Sequence, residues 1–99
     1  MTAYRRNYNR LPVNAIASIT AAEGLARGKT PVIIKDLSGK GAGIIAYSRL
    51  RVMQKVVLDL EIPPLVSHPV RKDCTVAWCR QEADRWLCGL TFGMDPLPL

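Results

Sequence analysis

Two groups of residues in this 99-residue chain have the types and spacing for ligand recognition. The first is Arg6-Asn7-Tyr8-Asn9-Arg10, which follows Arg5 in an N-terminal segment that contains no acid. Guanidinium groups grip phosphate oxygens in bidentate fashion and stack flat on purine rings, so an arm that carries them suits a guanine nucleotide. The second is Asp36-Leu37-Ser38-Gly39-Lys40-Gly41, inside the stretch DLSGKGAG. A carboxylate there can accept hydrogen bonds from the N1–H and N2–H of a guanine edge, and the serine hydroxyl can donate or accept beside it. The glycines let backbone N–H groups come close to a ligand. The arrangement of Asp36 and Ser38 selects guanine over adenine.

Each group also has a plain structural reading. Arginines on an exposed segment are commonly solvated, and a glycine-rich stretch after a strand can be a hairpin turn whose aspartate bonds its own backbone. A Walker-type phosphate loop does not fit, because Gly39-Lys40-Gly41 lacks the terminal Gly-Lys-Ser/Thr. No paired carboxylates, metal cluster or activated nucleophile can be assembled with credible spacing, so an enzyme is not expected. His68, the only histidine, has no Cys, Asp or Glu at ligand spacing and implies neither a metal site nor a Ser-His pair.

These residues need elements to hold them. The clearest is Lys55 to Ile62, where Val56, Leu58, Leu60 and Ile62 fall on one face and Asp59 and Glu61 on the other, the period of a strand with one buried side. Trp86, Cys88, Leu90 and Phe92 repeat the alternation, as do Val76 and Trp78 just before, and Gln81 to Asp84 supplies the turn of a hairpin. Asn14 to Thr20, Pro31 to Lys35 and Gly41 to Tyr47 are further strands. Ala21 to Arg27 reads as a loop or single turn, and Ser48 to Gln54 is ambiguous. At least six short strands without a long amphipathic helix predict an all-β fold, a small antiparallel barrel. Trp78 and Trp86 then read as core or barrel-surface packing residues ahead of the alternative, base stacking, while Tyr4 and Tyr8 flank the arginine arm without an assigned part.

The length fits one domain with a single core. Lys and Arg outnumber Asp and Glu by 14 to 8, a net charge of +6 that favours an anionic partner. No apolar stretch approaches the ~20 residues of a membrane span. The three cysteines, with no CxxC and no apolar signal core at the start, fit a reducing cytoplasm. Cys79 and Cys88 read as buried small hydrophobes on adjacent strands.

In this order the two motifs resemble the signature of the PilZ family of bacterial cyclic diguanylate receptors, an RxxxR arm followed by a D/NxSxxG loop. The resemblance continues through Ala42-Gly43-Ile44 and Gly89-Leu90-Thr91-Phe92 and covers roughly Arg5 to Phe92. It implies a six-stranded antiparallel barrel that binds cyclic di-GMP on its outer surface, with the arm folding over the ligand. By that analogy Arg6 and Arg10 contact phosphates and guanine faces, Arg5 adds a stacking guanidinium, Asp36 and Ser38 read guanine, and Gly41 permits close backbone approach. It implies no metal and no cofactor beyond the ligand.

Family members often carry a helix after the last strand; here a proline-containing segment follows, so that helix is short or absent. Residues 1–12 are then the ligand-binding arm, 13–93 the barrel and 94–99 a tail whose Leu97 and Leu99 could contact a partner. The expected function is a cytoplasmic receptor that changes conformation on binding and signals to a downstream protein. The alternatives are a basic barrel for single-stranded nucleic acid, or a degenerate PilZ adaptor acting through protein contacts only.

Overall fold

Alternation decides which way each strand faces, and the interior it predicts is filled by Val32, Ile34, Ile44, Val56, Leu58, Val76 and Cys88, all essentially inaccessible to solvent. The computed structural model describes residues 10–21, 28–61, 69–93 and 97. Within them lie β1 (Leu11–Ala21), β2 (Thr30–Leu37), β3 (Gly41–Ala46), β4 (Lys55–Leu60), β5 (Val70–Glu82) and β6 (Arg85–Phe92). All pairings are antiparallel in the order β1-β2-β3-β6-β5-β4, and β4 closes against β1 to complete a barrel. Closure leaves no free edge, and a barrel this small is filled by its own side chains. Burying each large aliphatic side chain contributes roughly 1.5–3 kcal/mol. Among the described residues there is no helix, and therefore none long and apolar enough to cross a membrane.

β5 links the two halves of the barrel: Val70 to Thr75 pair with β4, and Cys74 to Glu82 pair with β6. The β5–β6 turn is tighter than Gln81 to Asp84, since Glu82 still pairs with Arg85 and only Ala83 and Asp84 turn, Ala83 with φ 60. Ser48 to Gln54 forms no strand; Met53 N–H donates to the Val76 carbonyl at 2.7 Å and ties this connection to β5.

β1 also begins at Leu11 rather than Asn14, so Leu11 and Pro12 belong to the barrel and not to the arm, and further local features depart from the sequence reading. β2 runs two residues beyond Lys35, so Asp36 and Leu37 are strand residues and the connection shortens to Ser38-Gly39-Lys40. A register shift between Val76 and Trp78 breaks the alternation of β5, leaving Val76 inside and turning Trp78 outward, 43% exposed. A bulge adds one residue and thereby reverses the phase of everything after it. Finally, Leu97 is not an exposed partner contact: it is 5% exposed and joins the core. Its N–H donates to the Gly39 carbonyl at 2.9 Å, so it braces the Ser38–Lys40 connection. Leu99 and His68 lie outside the described residues.

Candidate functional site

The β1–β2 register builds the first half of the site. Pro12 pairs with Asp36, which brings Arg10, two residues earlier, beside the same carboxylate. Arg10 Nη1 forms an ion pair with Asp36 Oδ1, joining residues 26 positions apart. The same oxygen accepts the Gly43 N–H at 3.2 Å. Asp36 is therefore not the turn aspartate that bonds two residues along its own chain; it reaches across to β3. A register shift between Ile34 and Asp36 gives it that orientation, with Leu37 beside it sealed in the core.

Ser38 is buried, and its hydroxyl is occupied by the loop itself. It accepts the Lys40 N–H at 3.3 Å and donates to the Gly41 carbonyl at 3.4 Å, while Ser38 N–H donates to that carbonyl at 2.9 Å. Gly41 is required by packing: a Cβ there would lie 2.3 Å from the Leu90 carbonyl oxygen of β6. Its bare Cα lets β3 and β6 approach this closely.

Following the register outward from Asp36 reveals a row that the sequence motifs do not name. Asp36 lies opposite Gly43, Gly43 opposite Gly89, and Gly89 opposite Trp78. A Cβ on Gly43 would sit 2.9 Å from Asp36 Oδ2, and one on Gly89 would sit 2.2 Å from Trp78 Nε1. The two glycines pair with each other at the middle of the row, and each is covered from its outer neighbour, Gly43 by the Asp36 carboxylate and Gly89 by the Trp78 indole, so that on the outer wall the carboxylate and the indole lean toward each other over side-chain-free backbone. The Arg80 guanidinium lies 6.0 Å from the Trp78 ring centroid. By its alternation in the sequence Trp78 reads first as a packing residue. The two glycines on alternating strands were the available signal, but without the register nothing shows that they line up.

Arg5 and Arg6 lie outside the described residues, so Arg10, Asp36, Ser38 and Gly41 are the motif residues the structure places. Among the described residues no group of three or more His, Cys, Asp or Glu could hold a metal ion. An open pocket of about 300 Å³ lined by Lys55, Val56, Asp73, Cys74, Thr75 and Gly93 contains no residue of either motif.

The barrel is closed, six-stranded and filled by its own side chains, and the Arg10–Asp36 pair lies on its outer wall. The family model of the PilZ domain matches residues 4–98, essentially the whole chain, and the chain belongs to the PilZ domain family. That family comprises receptors for cyclic di-GMP and is not a catalytic one. None of the curated proteins matches the chain.

Proposed function

We propose that this chain binds cyclic di-GMP on the outer wall, with Arg5, Arg6 and Arg10 on its phosphates and purine faces and Asp36 on a guanine edge. The observation that carries the reading is the Arg10–Asp36 pair, in which one residue from each motif meets over the bare backbone of Gly43. Without ligand, Arg10 occupies the carboxylate. A guanine that presents N1–H and N2–H replaces it there, and the released guanidinium becomes available to a phosphate or the purine face. Ser38 and Gly41 support the site by fixing the loop and the β3–β6 approach, and Trp78 supplies a wall on which the second base stacks. Exchange of Arg10 from carboxylate to ligand moves the arm against the barrel, and that movement is the signal a protein partner reads. A carboxylate at the centre of the site opposes a nucleic-acid backbone, so the single-strand alternative gains no support.

The test is Asp36→Ala. Its ion pair is partly exposed and contributes about 1 kcal/mol or less to stability, so the domain stays folded while cyclic di-GMP binding falls by at least about tenfold, the worth of a charge-assisted hydrogen bond. Binding at wild-type affinity in a folded variant would remove Asp36 from the site.

A further inference from the structure

The mechanism above leaves Cys79 and Cys88 unused. They pair directly across β5 and β6, and their sulfurs are 2.9 Å apart with both thiols free. A disulfide bond is about 2.05 Å long, so a short approach of the two sulfurs forms it without moving the strands to a new register. The two side chains differ in access, Cys79 being half-buried and Cys88 fully buried. Each also adjoins the outer row: Cys79 follows Trp78, and Cys88 precedes Gly89.

We infer that Cys79 and Cys88 form a reversible dithiol–disulfide couple, a modification site on the inner face of the β5–β6 hairpin directly behind the Trp78–Gly89 contact. The proposal rests on strand geometry and is independent of the nucleotide reading. The oxidant is a low-molecular-weight disulfide such as oxidised glutathione. Cys79, the accessible member, loses its proton and attacks one sulfur of that disulfide, which forms a mixed disulfide and expels one glutathione thiolate. Cys88 then gives up its proton and attacks Cys79 Sγ, which forms the intramolecular bond and expels the second thiolate. The protein loses two electrons and two protons, and the oxidant gains them as two thiols.

The division of labour follows from burial. Desolvation, reinforced by Cys79, pushes the Cys88 thiol up to about 12, so Cys88 does not start the exchange and acts only on the mixed disulfide at its side. Cys74 is also buried, but it sits on the β4-facing part of β5, paired with Val56, and its thiol donates to the Lys72 carbonyl at 3.4 Å. It forms no part of the couple.

The experiment equilibrates the full chain in glutathione buffers from fully reduced to fully oxidised, unfolds it in acid, alkylates the remaining thiols and measures intact mass and peptide linkage. The expected result is a monomer in which one thiol alkylates, with Cys79 linked to Cys88, and full reversal by dithiothreitol. Cys74→Ala behaves as wild type, and Cys79→Ala, a change at a half-buried site, forms no intramolecular bond. Three alkylated thiols in the most oxidising buffer, or a bond that involves Cys74 or a second chain, overturns the proposal. The peptide linkage in the wild type decides the matter even if a variant fails to fold.

Discussion

Replacing Gly89 with alanine tests the outer row through a single methyl group. That methyl falls 2.2 Å from Trp78 Nε1 and 2.6 Å from Cε2, where ordinary contact begins at 3.4 Å. The indole must retreat by at least 3.4 − 2.2 = 1.2 Å. Trp78 is 43% exposed and has solvent to move into, so the strain is relieved by swinging the ring away rather than by parting the strands. Stacking of a base on an aromatic side chain is worth about 1–3 kcal/mol, which converts to a roughly 5- to 150-fold loss of cyclic di-GMP affinity. The fold barely notices, because alanine is favoured over glycine within a strand by roughly 0.5–1 kcal/mol, which offsets the lost indole contact. Calorimetric titration gives the affinity and thermal unfolding gives the stability. Trp78→Ala shows the same loss, and the double variant loses no more than either single one, since both remove the same stack. A Gly89→Ala domain that binds within about twofold of wild type, or a double variant whose losses add, refutes the stacking wall.

Other changes separate the supporting roles. Gly41→Ala pushes a methyl against the Leu90 carbonyl, which is backbone and cannot swing aside, so stability falls by about 1–3 kcal/mol and the unfolding midpoint drops by roughly 4–8 °C for each; an unchanged midpoint shows that β3 and β6 can separate freely. Leu97→Ala costs about 2–5 kcal/mol in urea unfolding, because Leu97 is packed in the core; a loss near zero would return it to the surface. Burial raises the Cys74 thiol to about 12 from 9.0. The folded state then keeps a proton that the unfolded state releases, so the stabilisation is whole below about pH 9 and is lost at up to about 1.4 kcal/mol per pH unit between pH 9 and 12. Under reducing conditions Cys74→Ala shows a shallower fall over that range, and identical slopes would contradict the assignment.

The strand faces were legible because Val56, Leu58 and Leu60, and again Cys88, Leu90 and Phe92, keep strict period two against a single core. The residues of the site were legible as types; their meeting was not. Arg10 reaches Asp36 because Pro12 and Asp36 share a register position, a long-range fact that local pattern does not carry. Asp36 read as loop because serine and three glycines follow it, yet the pull of Leu37 into the core extends β2 past it. Trp78 read with Val76 because one bulge residue, invisible in composition, reverses its face. Leu97 stands between prolines that stop any strand, and what places it in the core is a long-range contact, its N–H on the Gly39 carbonyl, that local pattern does not carry.

The most direct measurement is calorimetric titration of the full chain with cyclic di-GMP, with cyclic di-AMP and GTP as controls and Arg6→Ala/Arg10→Ala as the variant. The account predicts saturable binding of cyclic di-GMP alone, lost in the double variant. Absence of heat and of competition with cyclic di-GMP, or equal binding of the adenine dinucleotide, would contradict a guanine-reading site built on Asp36 and the arginine arm.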